Sequence, residues 1–108
     1  RWIVREREAE RDRAVFLVVD TALENPFDPA ALERLEDAIS RCAGQALLLL
    51  ARGADVGFQS RGLKVTPRSG RRQRSRILEA LARLEAIPQA GAPPFPPLRQ
   101  GDHRVVIT

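Results

Sequence analysis

Five apolar residues in a row, Val15 to Val19, stop abruptly at Asp20 in the stretch AVFLVVDTALE. A short apolar run without alternation, closed by a polar residue, predicts a buried parallel strand over residues 14–20 with a loop beginning at the acid. The periodicity then changes. Leu32, Leu35, Ile39, Cys42, Ala43, Ala46, Leu47 and Leu50 recur at helical spacing, which predicts one amphipathic helix over residues 29–52, about 36 Å long. Asp28 is suited to cap its amino end, Pro29 loses no needed hydrogen bond in the first turn, and Gly53 is placed to end it. Its later part, AGQALLLLA, is apolar nearly all round, as expected of a helix covered on several sides.

Beyond the helix, DVGFQS predicts a second strand over residues 55–60, with Val56 and Phe58 alternating into the core. Arg61 and Gly62 form the turn of a hairpin, and LKVT, residues 63–66, the antiparallel strand that follows. PRSG breaks the pattern. Ile77, Leu78, Leu81, Leu84 and Ile87 then mark a second helix from about residue 71, stopped by Pro88. Five prolines between residues 88 and 101 (Pro88, Pro93, Pro94, Pro96, Pro97) require an extended loop. HRVVIT predicts a last strand over residues 103–108, and Trp2, Ile3 and Val4 could open a further one near the start. The order strand, helix, strand, strand, helix, strand is that of an α/β layered domain. The long helix between two strands implies their parallel pairing through a right-handed crossover.

A length of 108 residues is that of a single domain with a modest core. The longest apolar stretch, residues 46–51, is far short of a membrane span, and the charged start RWIVREREAERDR is no signal peptide. The sequence contains no Met, not even at position 1, so it is expected to be part of a longer chain. Cys42 is the single cysteine, which leaves no internal disulfide and no cysteine metal cluster. The net charge of +4 is carried by seventeen arginines and one lysine, Lys64. Arginine and alanine this abundant also follow from a GC-rich genome, so nucleic acid is not the expected partner on charge alone.

Few residues carry chemistry. Asp20 stands outside the carboxyl end of a predicted parallel strand, where ligands of open α/β sheets bind. RSGRRQRSR, residues 68–76, holds five arginines and no acid at the start of the second helix. Arg68, Ser69, Arg71, Arg72 and Arg74 are the candidate anion or acidic-partner contacts, set against the plainer reading of a solvated arginine face. The stretch lacks the glycine spacing and the Lys-Ser/Thr end of a phosphate loop. His103, the only histidine, has Asp102 beside it but no nucleophile nearby, so a surface or strand-end position is expected. Cys42 lies on the apolar stripe and reads as a core thiol. Glu6, Glu8 and Glu10 alternate with arginine and read as ion-paired surface.

The run VREREAERDRAVFLVVDTA, the long Ala-rich helix, ARGADVGF, PRSGRRQ and ILEALARLE together resemble the von Willebrand factor A-like domain of the bacterial "domain of unknown function 58" family. The resemblance covers most of the chain and is poorest over residues 88–101. It implies a Rossmann-like, mostly parallel sheet flanked by helices. The hairpin's outer strand would be its one antiparallel edge, and the last strand would lie on the other side of the first. It also implies a cytoplasmic domain of a membrane-anchored protein, encoded beside AAA+ ATPases of the MoxR type. The chain would then be one partial von Willebrand A-like domain over residues 1–108.

Such domains often hold Mg²⁺ through Asp-x-Ser-x-Ser at the end of the first strand, because the ion needs oxygen donors at about 2.1 Å in near-octahedral geometry. Mapped here, the acid is Asp20, the first Ser position is Ala22 and the second is Glu24, while Thr66 or Ser69 stands near the place of a later Thr. Ala22 has no oxygen to offer. The expected site is therefore degenerate, with Asp20 capping loop amides and no cofactor required. The domain would act as a non-enzymatic protein-interaction module through loops 20–28 and 66–72, with a MoxR-type ATPase as partner. The rival readings are a Mg²⁺-dependent adhesive or hydrolytic domain using Asp20 and Glu24, and an anion or nucleic-acid binder using the 68–76 arginines. If the sheet ends at residue 108, the strand 103–108 is an edge open to self-association.

Overall fold

The computed structural model describes residues 14–98 and 103–107. The expectations for Trp2, Ile3, Val4, the Glu/Arg run and Asp102 lie outside these residues. The apolar run forms β1 (Val15–Val19), followed at once by a two-residue strand β2 (Ala22–Leu23). Helix α1 spans Pro29–Ala51. Asp28 caps it, its carboxylate accepting the Ala30 amide at 3.3 Å, and Gly53 follows with φ 82°, the left-handed conformation that suits glycine. Strands β3 (Val56–Ser60) and β4 (Leu63–Arg68) form the hairpin about Arg61 and Gly62. Helix α2 (Arg71–Ala82), a short strand β5 (Ile87–Pro88) and β6 (His103–Ile107) complete the order.

The main sheet runs β4-β3-β1-β6. β1 pairs in parallel with β3 on one side and β6 on the other, and β4 is the antiparallel edge. The result is a mixed α/β domain with a mostly parallel sheet, compatible with a Rossmann-like arrangement. Strand alternation puts Leu17, Val19, Val56 and Phe58 on one face. There they cluster with Leu35, Cys42 and Ala46 of α1 and with Ile77 and Leu81 of α2. Both helices thus cover the same face. Each large side chain fully buried here, such as Phe58 or Ile77, contributes roughly 2 kcal/mol.

The opposite face carries Phe16, Val18 and Gln59, all buried. The proline-rich segment, expected as a plain loop, descends over it: Gly62 donates to the Pro94 carbonyl at 3.1 Å, Gln59 Nε2 to that of Pro96, and Lys64 Nζ to that of Pro97 at 3.4 Å. It returns the chain from the carboxyl edge of the sheet toward the amino edge, which parallel pairing of β6 with β1 requires.

Two boundaries differ from the sequence reading. The second helix ends at Ala82, not at Ile87, because residues 87 and 88 pair with β2: Ile87 donates to Thr21 O at 3.0 Å and Gln89 to Leu23 O at 2.8 Å. The outer hairpin strand runs on past Thr66 to Arg68, with a bulge between Val56 and Phe58 that absorbs the extra length. Pro67, which has no N–H to give a ladder, is tolerated on this edge. Gly57 sits in the bulge because a Cβ there would lie 2.7 Å from the Val65 carbonyl oxygen.

Candidate functional site

Asp20 follows the last residue of β1, at the carboxyl edge of the sheet. Its Oδ1 accepts the Ala22 amide at 2.9 Å, a local turn that fixes the carboxylate. The neighbouring strand end supplies a second partner. Arg61, in the β3–β4 turn, donates from Nε to Oδ1 at 3.0 Å and from Nη2 to Oδ2 at 3.1 Å, a two-pronged pair. The guanidinium lies over the Phe95 ring, 4.7 Å from its centre, so the proline-rich segment backs the arginine that holds the acid. The hydrogen bond from Arg61 is the main cause that lowers the Asp20 pKa from 3.8, the Ala22 amide adds to it, and partial burial opposes both. Arg61 is raised above its ordinary value by the same bond.

This arrangement does not suit Mg²⁺. Both oxygens of Asp20 are engaged by a cation that already neutralises them, Ala22 contributes only its amide, and Glu24 is exposed beyond β2. Thr21 is buried. Thr66 is not brought to Asp20 at all. It lies within β4, near the level of Phe16, so four residues of strand at about 3.3 Å each, or ~13 Å, separate the two along the sheet. The expectation that loops 20–28 and 66–72 share one surface is corrected for the same reason. β4 is antiparallel, so the chain leaving it emerges at the amino edge, where Arg68 stands opposite Val56 and Val56 opposite Val15.

At that amino edge the arginine cluster divides. Arg68, Ser69 and Arg72 line one hollow together with Gln73 and Arg76. Arg71 and Arg74 face another, beside Leu47, Leu50 and Ala51 at the end of α1. Residues 72 and 76 are one helical turn apart, as are 71 and 74, but the two pairs lie on different sides of α2. The amino end of α2 follows Gly70, has no side-chain cap and has no acid in its first turn.

Three residues that matter were not identified from the sequence. The sequence places Arg61 only in the turn, and its pairing with Asp20 spans 41 residues. Phe95 was lost among prolines. Gln73 is buried, and its Nε2 donates to the carbonyls of Val56 at 2.7 Å and Thr66 at 2.9 Å, tying α2 to the bulge. Its signal was present, since 73, 77 and 81 form one stripe in which a glutamine holds an apolar position. Cys42 is fully buried, which pushes its thiol up to about 12, and His103 is exposed at the start of β6. Among the described residues no helix is long and apolar enough to cross a membrane.

Sheet order, paired helices and the closed acid at the strand end define a mixed α/β domain with a Rossmann-compatible sheet. The sequence model of the family described as "Protein of unknown function DUF58" matches residues 1–101, and the chain belongs to that family. No curated protein and no solved structure matches it.

Proposed function

We propose that this domain is a von Willebrand A-type protein-interaction module, not an enzyme, in which an arginine takes the position of the metal. The observation that carries the reading is the fork of Arg61 on Asp20. An acid at the end of the central strand is where such domains place their first ligand, and here its charge is met from the adjacent strand end. A partner binding this edge would meet a neutral, preorganised surface rather than an open coordination position.

The same edge presents Phe27, 85% exposed in the loop before α1, as the apolar anchor an interface needs. By the family resemblance the partner is a MoxR-type AAA+ ATPase. Calorimetric titration with MgCl₂ or MnCl₂ is expected to give no binding; micromolar binding that disappears in Asp20→Ala would overturn the reading. With a purified MoxR-type ATPase, Phe27→Ser is expected to weaken association, and a complex indifferent to Phe27 would move the interface elsewhere.

A further inference from the structure

A groove of about 590 Å³ lies between the edge strand β4 and helix α2. Its floor is apolar, from Leu63, Val65, Ala80 and Leu84. Its rim is basic. Arg68 and Arg76 line both this groove and the hollow that contains Arg72, so the two adjoin at these side chains. The only ion pairs among the described residues are Arg61 with Asp20 and Arg83 with Glu79. The one acid of the groove, Glu79, is thus paired with Arg83, and no ion pair among the described residues engages Arg68 and Arg76 of the groove or Arg72 of the adjoining hollow. No strand among the described residues pairs with the outer side of β4.

An unpaired edge strand presents backbone N–H and C=O groups that a further strand can take up. Lysine and proline usually guard such edges. Here Lys64 is drawn back onto the other face, bonded to the Pro97 carbonyl and lying over the Phe16 ring at 5.4 Å. Pro67 ends the usable ladder but leaves Leu63 to Thr66 free. A second copy of the chain is a poor occupant, because two such edges brought together would oppose like charges.

We propose that this groove is a docking site for an extended acidic peptide of a partner protein. The peptide adds a strand to β4 over residues 63–66 and places its carboxylates on Arg68, Arg72 and Arg76. Backbone pairing supplies the ladder, and the arginines select the charge. The arginine end of the site lies at the opposite end of the sheet from Asp20, and the proposal stands independently of the function proposed above.

The probe is a fluorescein-labelled ten-residue peptide of alternating Glu and Val, followed by anisotropy at low and moderate salt. Three comparisons are made: the same peptide N-methylated at alternate residues, its Lys-Val counterpart, and a single-stranded oligonucleotide of equal charge. The Glu-Val peptide is expected to bind and the Lys-Val peptide not to. N-methylation, which keeps the charge but removes ladder donors, is expected to weaken binding about tenfold. The exposed pair Arg68→Glu with Arg76→Glu is expected to weaken it at least as much, while Asp20→Ala leaves it unchanged. Absence of binding by the Glu-Val peptide overturns the proposal. So does equal binding of the N-methylated peptide or of the oligonucleotide, either of which would reduce the surface to a polyanion patch.

Discussion

The two ends of the sheet handle charge in opposite ways. At the carboxyl edge an acid and a base from neighbouring strand ends meet, and an aromatic ring backs the base. At the amino edge Arg68, Arg72 and Arg76 gather around one hollow, and no ion pair among the described residues engages them. The chain's net charge of +4 says nothing of this division. Topology makes it: the parallel β1–β3 pair sets Asp20 beside the turn that holds Arg61, and the antiparallel β4 carries the arginine-rich segment to the far end. A closed pair favours a fixed shape, whereas arginines outside any ion pair of the described residues, beside an edge that no described strand covers, favour recognition.

The largest effect should come from the tie that holds the amino edge together. Gln73 donates to the buried Val56 carbonyl and the part-buried Thr66 carbonyl at the bulge, so Gln73→Leu removes both bonds. Each such loss costs about 1–3 kcal/mol, and a destabilisation of about 3 kcal/mol is expected from urea denaturation. A loss under about 1 kcal/mol would mean that the bulge does not depend on α2, and that the edge is shaped by β3 and β4 alone.

Much of this frame was legible in the chain. The run Val15–Val19, the Asp28-Pro29 start of α1 and the Arg61-Gly62 turn are local signals, each written within a few residues. The contacts that close the carboxyl edge are not local. Asp20 and Arg61 are brought together only once β1 and β3 pair, and no spacing in the sequence distinguishes Arg61 from the other arginines. The two-residue ladder between β2 and β5 is likewise too short to leave a pattern, and it ended the second helix five residues before its apolar periodicity did. Thr66 stands far from Asp20 because β4 runs antiparallel to β3 and carries the chain toward the amino edge.

At the carboxyl edge the pair should matter moderately, and in a pH-dependent way. Arg61 holds the folded-state pKa of Asp20 below its ordinary 3.8. Its contribution is therefore complete above the unfolded-state value near 4 and is lost as pH falls through the lower, folded-state value. The Asp20 side chain is 43% exposed, so screening limits the contribution to about 1 kcal/mol at neutral pH. Denaturation of the wild type and Asp20→Asn from pH 7 downward should show a constant gap that closes below about pH 4. A gap that widens on acidification would mean that the pair is absent in solution. Glu79→Gln removes the other ion pair, which is more exposed on both partners, and should change stability by less than about 0.5 kcal/mol.

The smallest effect separates the two sides of α2. Arg71 and Arg72 both occupy its uncapped first turn, where positive charge opposes the helix dipole. Replacing either by Glu should raise stability by about 0.5 kcal/mol, read as a small increase in melting temperature. Arg72 faces the hollow shared with Arg68 and Arg76, whereas Arg71 faces Leu47 and Leu50. Only Arg72→Glu should therefore weaken binding of the Glu-Val peptide, although the two variants carry the same charge change. Equal weakening by both would trace the affinity to net charge rather than to a groove. A variant that folds better and binds worse would show that the amino edge keeps its arginines at the expense of its own helix.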